Sequence, residues 1–508
     1  WWIENPGDYD DLWEAERTRD ELIRISLSFY GWLKNDWDEK EKAARHDLIR
    51  MPIYNAKREN RRFIGDYVLS DQDCVKGRTF PDVIGHAGWT IDVHHPHGIF
   101  SGEEGPFHAN QHVPLVQIPY RCLYSRNITN LLFAGRCISV SHVALGTVRV
   151  QNTIAVAGQA AGTAAALANR CKTTPRGIYE QHLQTLQQTL MRHDQHIPGL
   201  VNSDEDDLAR KATVTASSWS TREVFQDRQG VPGEWRLLDR PRACMLPRDE
   251  DPAVAAVWLY LANRDKAVRT VVVHARKERD PGRFWSDTDA AVVSIELPPE
   301  TEGWTRVPLD LALEERYLWL LLEPCSGVAW RKLDMAPLDW FRASDSGQGV
   351  AIDGRWGMMM RLQEPSRQFA DCSPRQVING CGRILSADVY LWSSDPSLPL
   401  PADLTLSWPE PERIDEVCLT FDTDMNNPPM TYPKFQVPET CATDYVLSCR
   451  DSSGWRDLAA VSGNYQRRRI HRFPVVDTDR LRLTILKTGG HPSARVIEVR
   501  CYAENKAR

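Results

Sequence analysis

Positive charge is not in excess in this chain. Its 62 Lys and Arg face 69 Asp and Glu, a formal net charge of −7, which excludes a general nucleic-acid binder and a partner for anionic membrane surfaces. Long apolar runs are also missing, so a membrane-spanning helix is not expected. The nearest approach, 148–167, is interrupted by Arg149, Gln151, Asn152 and Gln159. Cysteine is sparse, with 12 in 508 residues and no CxxC spacing; a disulfide scaffold and a zinc finger are thereby excluded. Cys372 and Cys381 remain the candidate pair for an isolated disulfide. An initiating Met and a signal peptide are absent as well: the chain begins Trp1-Trp2-Ile3. It is therefore expected to be a fragment or a processed product, and its compartment, cytoplasmic or exported, is left open.

What is present is ordinary globular composition, 42% apolar and 26% charged, enough to bury several cores over a length that predicts two to four domains. Residues 8–50 carry apolar side chains at helical spacing (Leu12, Leu22, Ile23, Leu27, Tyr30, Leu33) and predict two or more helices. Short strands are expected at 63–69 and 89–94. A helix is expected to start at Ser70 as N-cap, and another to follow Thr173-Thr174-Pro175 to about Arg192. An acidic linker spans 196–209. From Lys211 onward short apolar runs alternate with Pro, Gly and Asp turns, and 12 of the 18 Trp lie beyond residue 208; this texture predicts β-sandwiches, divided near residue 345.

The richest stretch runs from Asn130 to Ala168. It predicts a buried strand at 131–134, a turn at Gly135, a polar loop, and a long helix of small residues. Such a strand and helix let a backbone approach a flat ligand, and a helix N-terminus near Gly146 and Thr147 would offer unpaired N–H groups to an anion. Together with Arg58 to Leu69 (ending Gly65-Asp66-Tyr67-Val68-Leu69), Ile91-Asp92-Val93-His94 and Ile118-Pro119-Tyr120-Arg121, this stretch resembles the C-terminal part of FAD-dependent oxidoreductases of a bacterial type. The resemblance covers 1–195 and implies a partial, Rossmann-like FAD-binding domain with FAD as cofactor. It implies contacts from Gly135, Arg136, Ser139, Gly146, Thr147, Val148, Arg149, Gly158 and Gln159, with Gly158 and Gly162 allowing tight helix packing. A G-x-G-x-x-G turn after a strand is missing; Gly347-Gln348-Gly349 lacks the third glycine. The N-terminal half of the domain is therefore expected on a segment outside this sequence or on a separate chain, unless the remnant no longer binds FAD.

Asp92 and His94 would face the same way on a strand, which suits an acid/base pair. The run His94-His95-Pro96-His97, with His86, His108 and His112 as possible partners, equally admits a metal or a hydrogen-bonded polar loop. Tyr120 and Arg121 would orient a polar substrate, or Arg121 would be a buried structural fork. His142 is a second candidate base, or a stiffener of its loop, and Cys137 reads as a small buried thiol. Further on, Gln376 to Gly380, Val389 to Asp395 and Leu404 to Trp408 resemble a discoidin-type, galactose-binding-like sandwich, and 211–218 resembles the opening strand of another. The resemblance implies glycan binding or an interface role.

The expected architecture is therefore multidomain, α/β plus all-β: a partial FAD domain (1–195), a linker (196–209), and β-sandwiches at 210–345 and 346–508. The expected reaction is hydride removal from a carbon bearing a hydroxyl or amine, with a small-molecule or carbohydrate substrate and no metal. The alternatives are a non-catalytic carbohydrate-binding or scaffold protein with a relic flavin fold, and a metal-dependent hydrolase built on His94 to His97.

Overall fold

A computed structural model describes residues 3–10, 12–51, 54, 56–102, 107–111, 113, 115–197, 199–220, 232–247, 253–278, 288–315, 317–333, 342–345, 350–353, 357–362, 372–383, 391–423, 425 and 437–503. His112 and Gly347 to Gly349 lie outside them, as does the side chain of His108. The chain divides into two compact units, Trp1–Pro198 and Gly199–Arg508.

The first unit holds seven helices among the described residues: α1 (Ala15–Asn35), α2 (Lys40–Ala43), α3 (Asp71–Lys76), α4 (His142–Val148), α5 (Gln151–Arg170), α6 (Pro175–Gln181) and α7 (Leu183–Arg192). Its strands β1 (Val83–Ala87), β2 (Ile91–His94), β3 (Phe107–Gln111) and β4 (Val116–Pro119) pair as two antiparallel ladders, β1 with β4 and β2 with β3. Ser70 closes a capping box with Asp73 at the start of α3. The strand expected at 131–134 is instead a single bridge from Leu132 to Tyr124. The helix expected after Thr174 breaks at His182 into α6 and α7. β1 is tied beneath the helices by amide side chains. Gln187 Nε2 donates to the carbonyls of Pro81 and Val83 (2.9 and 3.0 Å), and Gln195 Nε2 to that of Ile84 (2.5 Å). α1 buries only Thr18 and leaves Leu27, Phe29 and Trp32 exposed.

The second unit is all β. Its first sheet runs β10-β9-β12-β7-β14-β15, built from β7 (Arg242–Pro247), β9 (Arg269–Glu278), β10 (Ala291–Leu297), β12 (Tyr317–Leu322), β14 (Arg342–Asp345) and β15 (Val350–Asp353). Facing it, β11 (Thr301–Ala312), β8 (Ala253–Asn263), β13 (Val328–Leu333) and β16 (Gly357–Met358) form a second sheet, with β6 (Pro232–Leu237) on β13 and β17 (Met360–Leu362) on β8. Val257, Leu259, Val271, Val273, Leu318, Leu320 and Trp330 fill the space between them.

The last sheet runs β18 (Trp392–Ser393), β23 (Arg495–Tyr502), β19 (Ala402–Phe421), β22 (Arg468–Thr488), β20 (Ala442–Asp451) and β21 (Gly454–Val461). The pairing of β19 with β22 breaks between Ser407 and Glu412, where Pro409 and Pro411 cannot donate to a ladder. Both long strands bend there, so Leu404 and Leu406 of one half meet Val417, Leu419 and Phe421 of the other in one core.

β5 (Thr213–Ala216) corrects the expected division. It pairs with Leu404 to Ser407 of β19, and Ala209 and Ala212 lie in the C-terminal core. Residues 211–218 therefore open the C-terminal sandwich, and the middle sandwich is inserted between β5 and β18. The exposed–half-buried alternation of β5 is that of an edge strand, and sequence alone does not name the strand it pairs with. Cys372 and Cys381, the candidate pair, are both buried thiols and form no disulfide with each other.

Candidate functional site

The three segments of 1–195 singled out in the sequence meet in the first unit. Phe63 N donates to the carbonyl of Cys137 (2.9 Å), Leu69 N to Ser139 (3.2 Å) and Ser141 N to Leu69 (2.9 Å). Gly65 is needed at this seam, because a Cβ there would run into the carbonyl of Arg121. Beside it, α4 crosses β2. A Cβ on Gly146 would lie 2.7 to 3.1 Å from the backbone of Asp92, so only glycine lets the helix approach this closely. Thr147 Oγ1 donates to the carbonyl of Trp89, and Arg149 Nη2 to that of Asp92 at 3.0 Å.

This crossing builds a cavity of about 390 Å³, lined among others by Glu4, Arg58, Glu59, Asp92, His94, His142 and Arg149. His94 is its most engaged group. Its Nδ1 lies 2.6 Å from Glu4 Oε2 and its Nε2 3.2 Å from Asp92 Oδ1. The guanidinium of Arg58 lies 2.7 Å from Nε2 and 2.9 Å from Nδ1, and it is paired with Glu4. Arg149 Nη2 stands 3.6 Å from Asp92 Oδ2; burial and then the charge of Arg58 lower its pKa from the usual guanidinium value.

His142 opens α4 behind its N-cap Ser141, whose hydroxyl accepts from Ala144 N. Its Nδ1 is 2.5 Å from Glu59 Oε2, and Glu59 is also paired with Arg62. Burial, then the charges of Arg62 and Arg149, hold its pKa below the usual imidazole value. This direction favours the neutral imidazole, which can act as a base. Glu4, Arg58 and Glu59 are the site residues that sequence reasoning missed as such. Arg58 and Glu59 sat inside a quoted segment, whereas Glu4 lies 90 residues from His94 with no local signal.

Tyr120 and Arg121 are not among the residues lining the cavity. Tyr120 is fully buried, its hydroxyl donating to the carbonyl of Pro175 at 3.0 Å. Arg121 grips Asp82, itself wholly buried, through Nε and Nη2, both at 2.9 Å. Of the two readings, the structural fork is the one the geometry takes. The His run also divides. His94 and His95 line the cavity, His95 Nδ1 accepting from His97 N at 3.1 Å, and His97 is not among the lining residues. Among the described residues no group of three or more His, Cys, Asp or Glu could hold a metal ion.

The proposed flavin contacts fit unevenly. Gly135 adopts φ 74° with open space where a side chain would stand, and the neighbouring Arg136 Nη1 is buried without a hydrogen-bond partner; this corner fits an anionic or carbonyl-rich ligand. Ser139 is fully buried against Gly65, its hydroxyl unpartnered. Gly146, Thr147 and Val148 do not form a helix N-terminus. They are the buried last turn of α4, and the next helix begins at Gln151 behind Val150. Gly158 and Gly162 have no atom within 4 Å of a notional Cβ, so the expected tight packing does not occur there. With Ala155, Gln159 and Ala166 they form an open face of α5.

In the second unit the Trp residues of the quoted discoidin-like motifs are core. Trp392 is fully buried and its indole donates to the carbonyl of Ser218 (2.9 Å), while Trp408 donates to that of Leu208 (2.9 Å). Neither is a sugar platform. Among the described residues no helix is long and apolar enough to cross a membrane.

Residues 1–190 match the family model of FAD dependent oxidoreductases. A search of curated proteins finds no match. Similar solved structures include SpGH29, with 17% identity over 27% of this chain and 25% of that chain at a TM-score of 0.20; the chain spans only a quarter of that protein. The family 32 carbohydrate-binding module of Streptococcus pneumoniae EndoD gives 17% identity over 28% of this chain and 92% of that one, TM-score 0.22. The family 32 module of Clostridium perfringens NanJ, in complex with galactose, gives 14% over 26% and 84%, TM-score 0.20. At these scores the fold of the second unit rests on its own sheets. Residues 1–190 are thus similar to FAD dependent oxidoreductases, and the second unit consists of β-sandwiches.

Proposed function

We propose that the first unit is the substrate-side part of an FAD-dependent oxidoreductase that oxidises a carbon bearing a hydroxyl or amine. The observation that carries this reading is the His94 constellation, a base set between two carboxylates in a cavity within the segment that matches the family. FAD, when bound, accepts the hydride. Gly135 and Arg136 would hold it, together with a dinucleotide-binding half supplied from outside this sequence. His94 Nε2 takes the substrate's proton as the hydride leaves, and His142 is the second base at the rim.

The cavity charge speaks to the substrate class. Lys57, Arg58 and Arg149 are balanced by Glu4, Glu59 and Asp92. An ionic substrate would have to break an existing pair, whereas a neutral, hydroxyl-rich molecule such as a sugar can bond to these groups as they stand. The incomplete cradle at Gly146 to Val148 favours the second reading, a non-catalytic protein with a relic flavin fold.

An absorption spectrum between about 350 and 500 nm, taken on protein purified with any upstream native segment and added FAD, tests the proposal. Flavin bands that bleach with a neutral sugar support it. A colourless protein that takes up no FAD overturns it.

A further inference from the structure

We propose that Glu4 is the positioning residue that decides which nitrogen of His94 carries the proton. The inference rests on His94 as the base of the reading above, and it concerns a residue that neither the sequence motifs nor the family match assigns.

Glu4 is not a loosely placed side chain. Its carbonyl accepts from Ile99 N at 2.9 Å, and Gly7 N donates to the carbonyl of Pro96 at 2.7 Å, so the segment is laid along the turn that follows His94. Gly98 adopts φ 51°, and a Cβ there would run into the backbone of Glu4 and Asn5. The turn is built to let this segment approach. Glu4 then divides its carboxylate, Oε2 to His94 Nδ1 at 2.6 Å and Oε1 to Arg58 Nη2.

A carboxylate accepts only, and Glu4 Oε2 at 2.6 Å is nearer to Nδ1 than the donor Arg58 Nη2 at 2.9 Å, so the neutral ring keeps its proton on Nδ1. Nε2 is then the acceptor, with Arg58 Nη1 at 2.7 Å donating to it. On the same side stands Asp92 Oδ1, buried and accepting no hydrogen bond. This arrangement has two settings. With His94 neutral, Nε2 accepts from Arg58. When a proton arrives on Nε2, the new N–H has Asp92 Oδ1 to donate to, while Arg58 keeps its bond to Glu4. Glu4 thereby points the basic nitrogen toward the carboxylate of Asp92, which can receive the new N–H. Arg149, at 3.6 Å from the other oxygen of Asp92, holds that carboxylate in place.

Glu4→Gln makes a sharp prediction. Of the two ends of the Gln amide only the carbonyl oxygen can accept from Arg58, so the amide NH2 turns to His94 Nδ1. Nδ1 must then accept, and the proton moves to Nε2. The experiment is a long-range ¹H–¹⁵N spectrum of the whole chain labelled in its histidines, with His94→Gln used to assign the signal. The wild-type chain is expected to show His94 as the Nδ1–H tautomer and Glu4→Gln as Nε2–H. In the FAD-loaded protein, kcat is expected to fall on the order of a hundredfold with KM held. A wild-type His94 in the Nε2–H form overturns the proposal even where the variant does not fold. So does a Glu4→Gln chain that keeps the Nδ1–H tautomer. An Nδ1–H tautomer in a protein that binds no FAD supports the Glu4–His94 coupling and overturns the oxidoreductase reading alone.

Discussion

Replacing Gly146 by Ala should loosen the cavity, although helix propensity argues the other way. Ala is favoured over Gly inside a helix by about 1 kcal/mol. At Gly146 the added Cβ would meet Asp92 O at 2.7 Å and Asp92 N at 2.8 Å, both backbone atoms of β2. Reaching ordinary contact at 3.4 Å requires α4 and β2 to separate by about 0.7 Å. Overpacking of this kind costs about 1–3 kcal/mol. The separation also strains the bonds from Thr147 to Trp89 and from Arg149 to Asp92. The net expectation is a loss of up to about 2 kcal/mol, confined to this seam. Gly158→Ala and Gly162→Ala are the matched controls. Nothing lies within 4 Å of either added methyl, so each should stabilise α5, by up to about 1 kcal/mol. Hydrogen–deuterium exchange on the whole chain reads both effects: faster exchange in 91–94 and 142–148 for the first variant, slower exchange in 151–170 for the controls. If Gly146→Ala protected its helix as the controls protect theirs, the close crossing of α4 over β2 would be wrong.

Three further expectations concern buried charge. Asp82→Ala leaves Arg121 without its bidentate partner and should destabilise the first unit by about 3 kcal/mol; an unchanged denaturant midpoint would contradict the structural role given to Arg121. In the C-terminal sheet, burial and then the charge of Arg495 push the pKa of His491 down to about 4, and its neutral Nε2 accepts from Arg495, which pairs with Asp422. A depressed folded-state pKa gives stability that is present above about pH 6.5 and lost as pH falls toward 4, at most about 3 kcal/mol and less for a partly exposed ring. His491→Gln should flatten the stability profile across that window, and a profile unchanged from wild type would refute the assignment. Asp207 runs the opposite way, raised by burial to about 6 although Asn202, Ala209 N and Cys501 N all donate to it. Its contribution is present below about pH 4 and lost as pH rises through 6, so Asp207→Asn should raise the denaturant midpoint at pH 7–8. A midpoint lowered equally at pH 4 and pH 8 would show that its hydrogen bonds outweigh its desolvation.

Much of the fold was legible wherever the signal is local. The capping box at Ser70 and Asp73, the small-residue helix α5 and strands such as Tyr317–Leu322 follow from cap chemistry, composition and apolar runs. His94 and Asp92 were legible too, because a strand's period of two puts them on one side. What failed depended on neighbours distant in sequence. Gly146 has the composition of a helix start, but it serves the contact with Asp92, and tertiary packing moved the helix boundary to Gln151.

By itself the sequence determined the class of each half, helical with short strands and then all β, and the chemistry on offer in its His, Asp and Arg motifs. Periodicity, caps and turn residues act over a few positions and need no partner. Only the tertiary structure decided that Glu4 reaches His94, that Arg121 serves Asp82 rather than a substrate, and that β5 pairs across the inserted sandwich with β19. Those outcomes rest on which surfaces exclude water together and which buried donors find acceptors. Such pairings span tens to hundreds of residues and leave no mark in any local window.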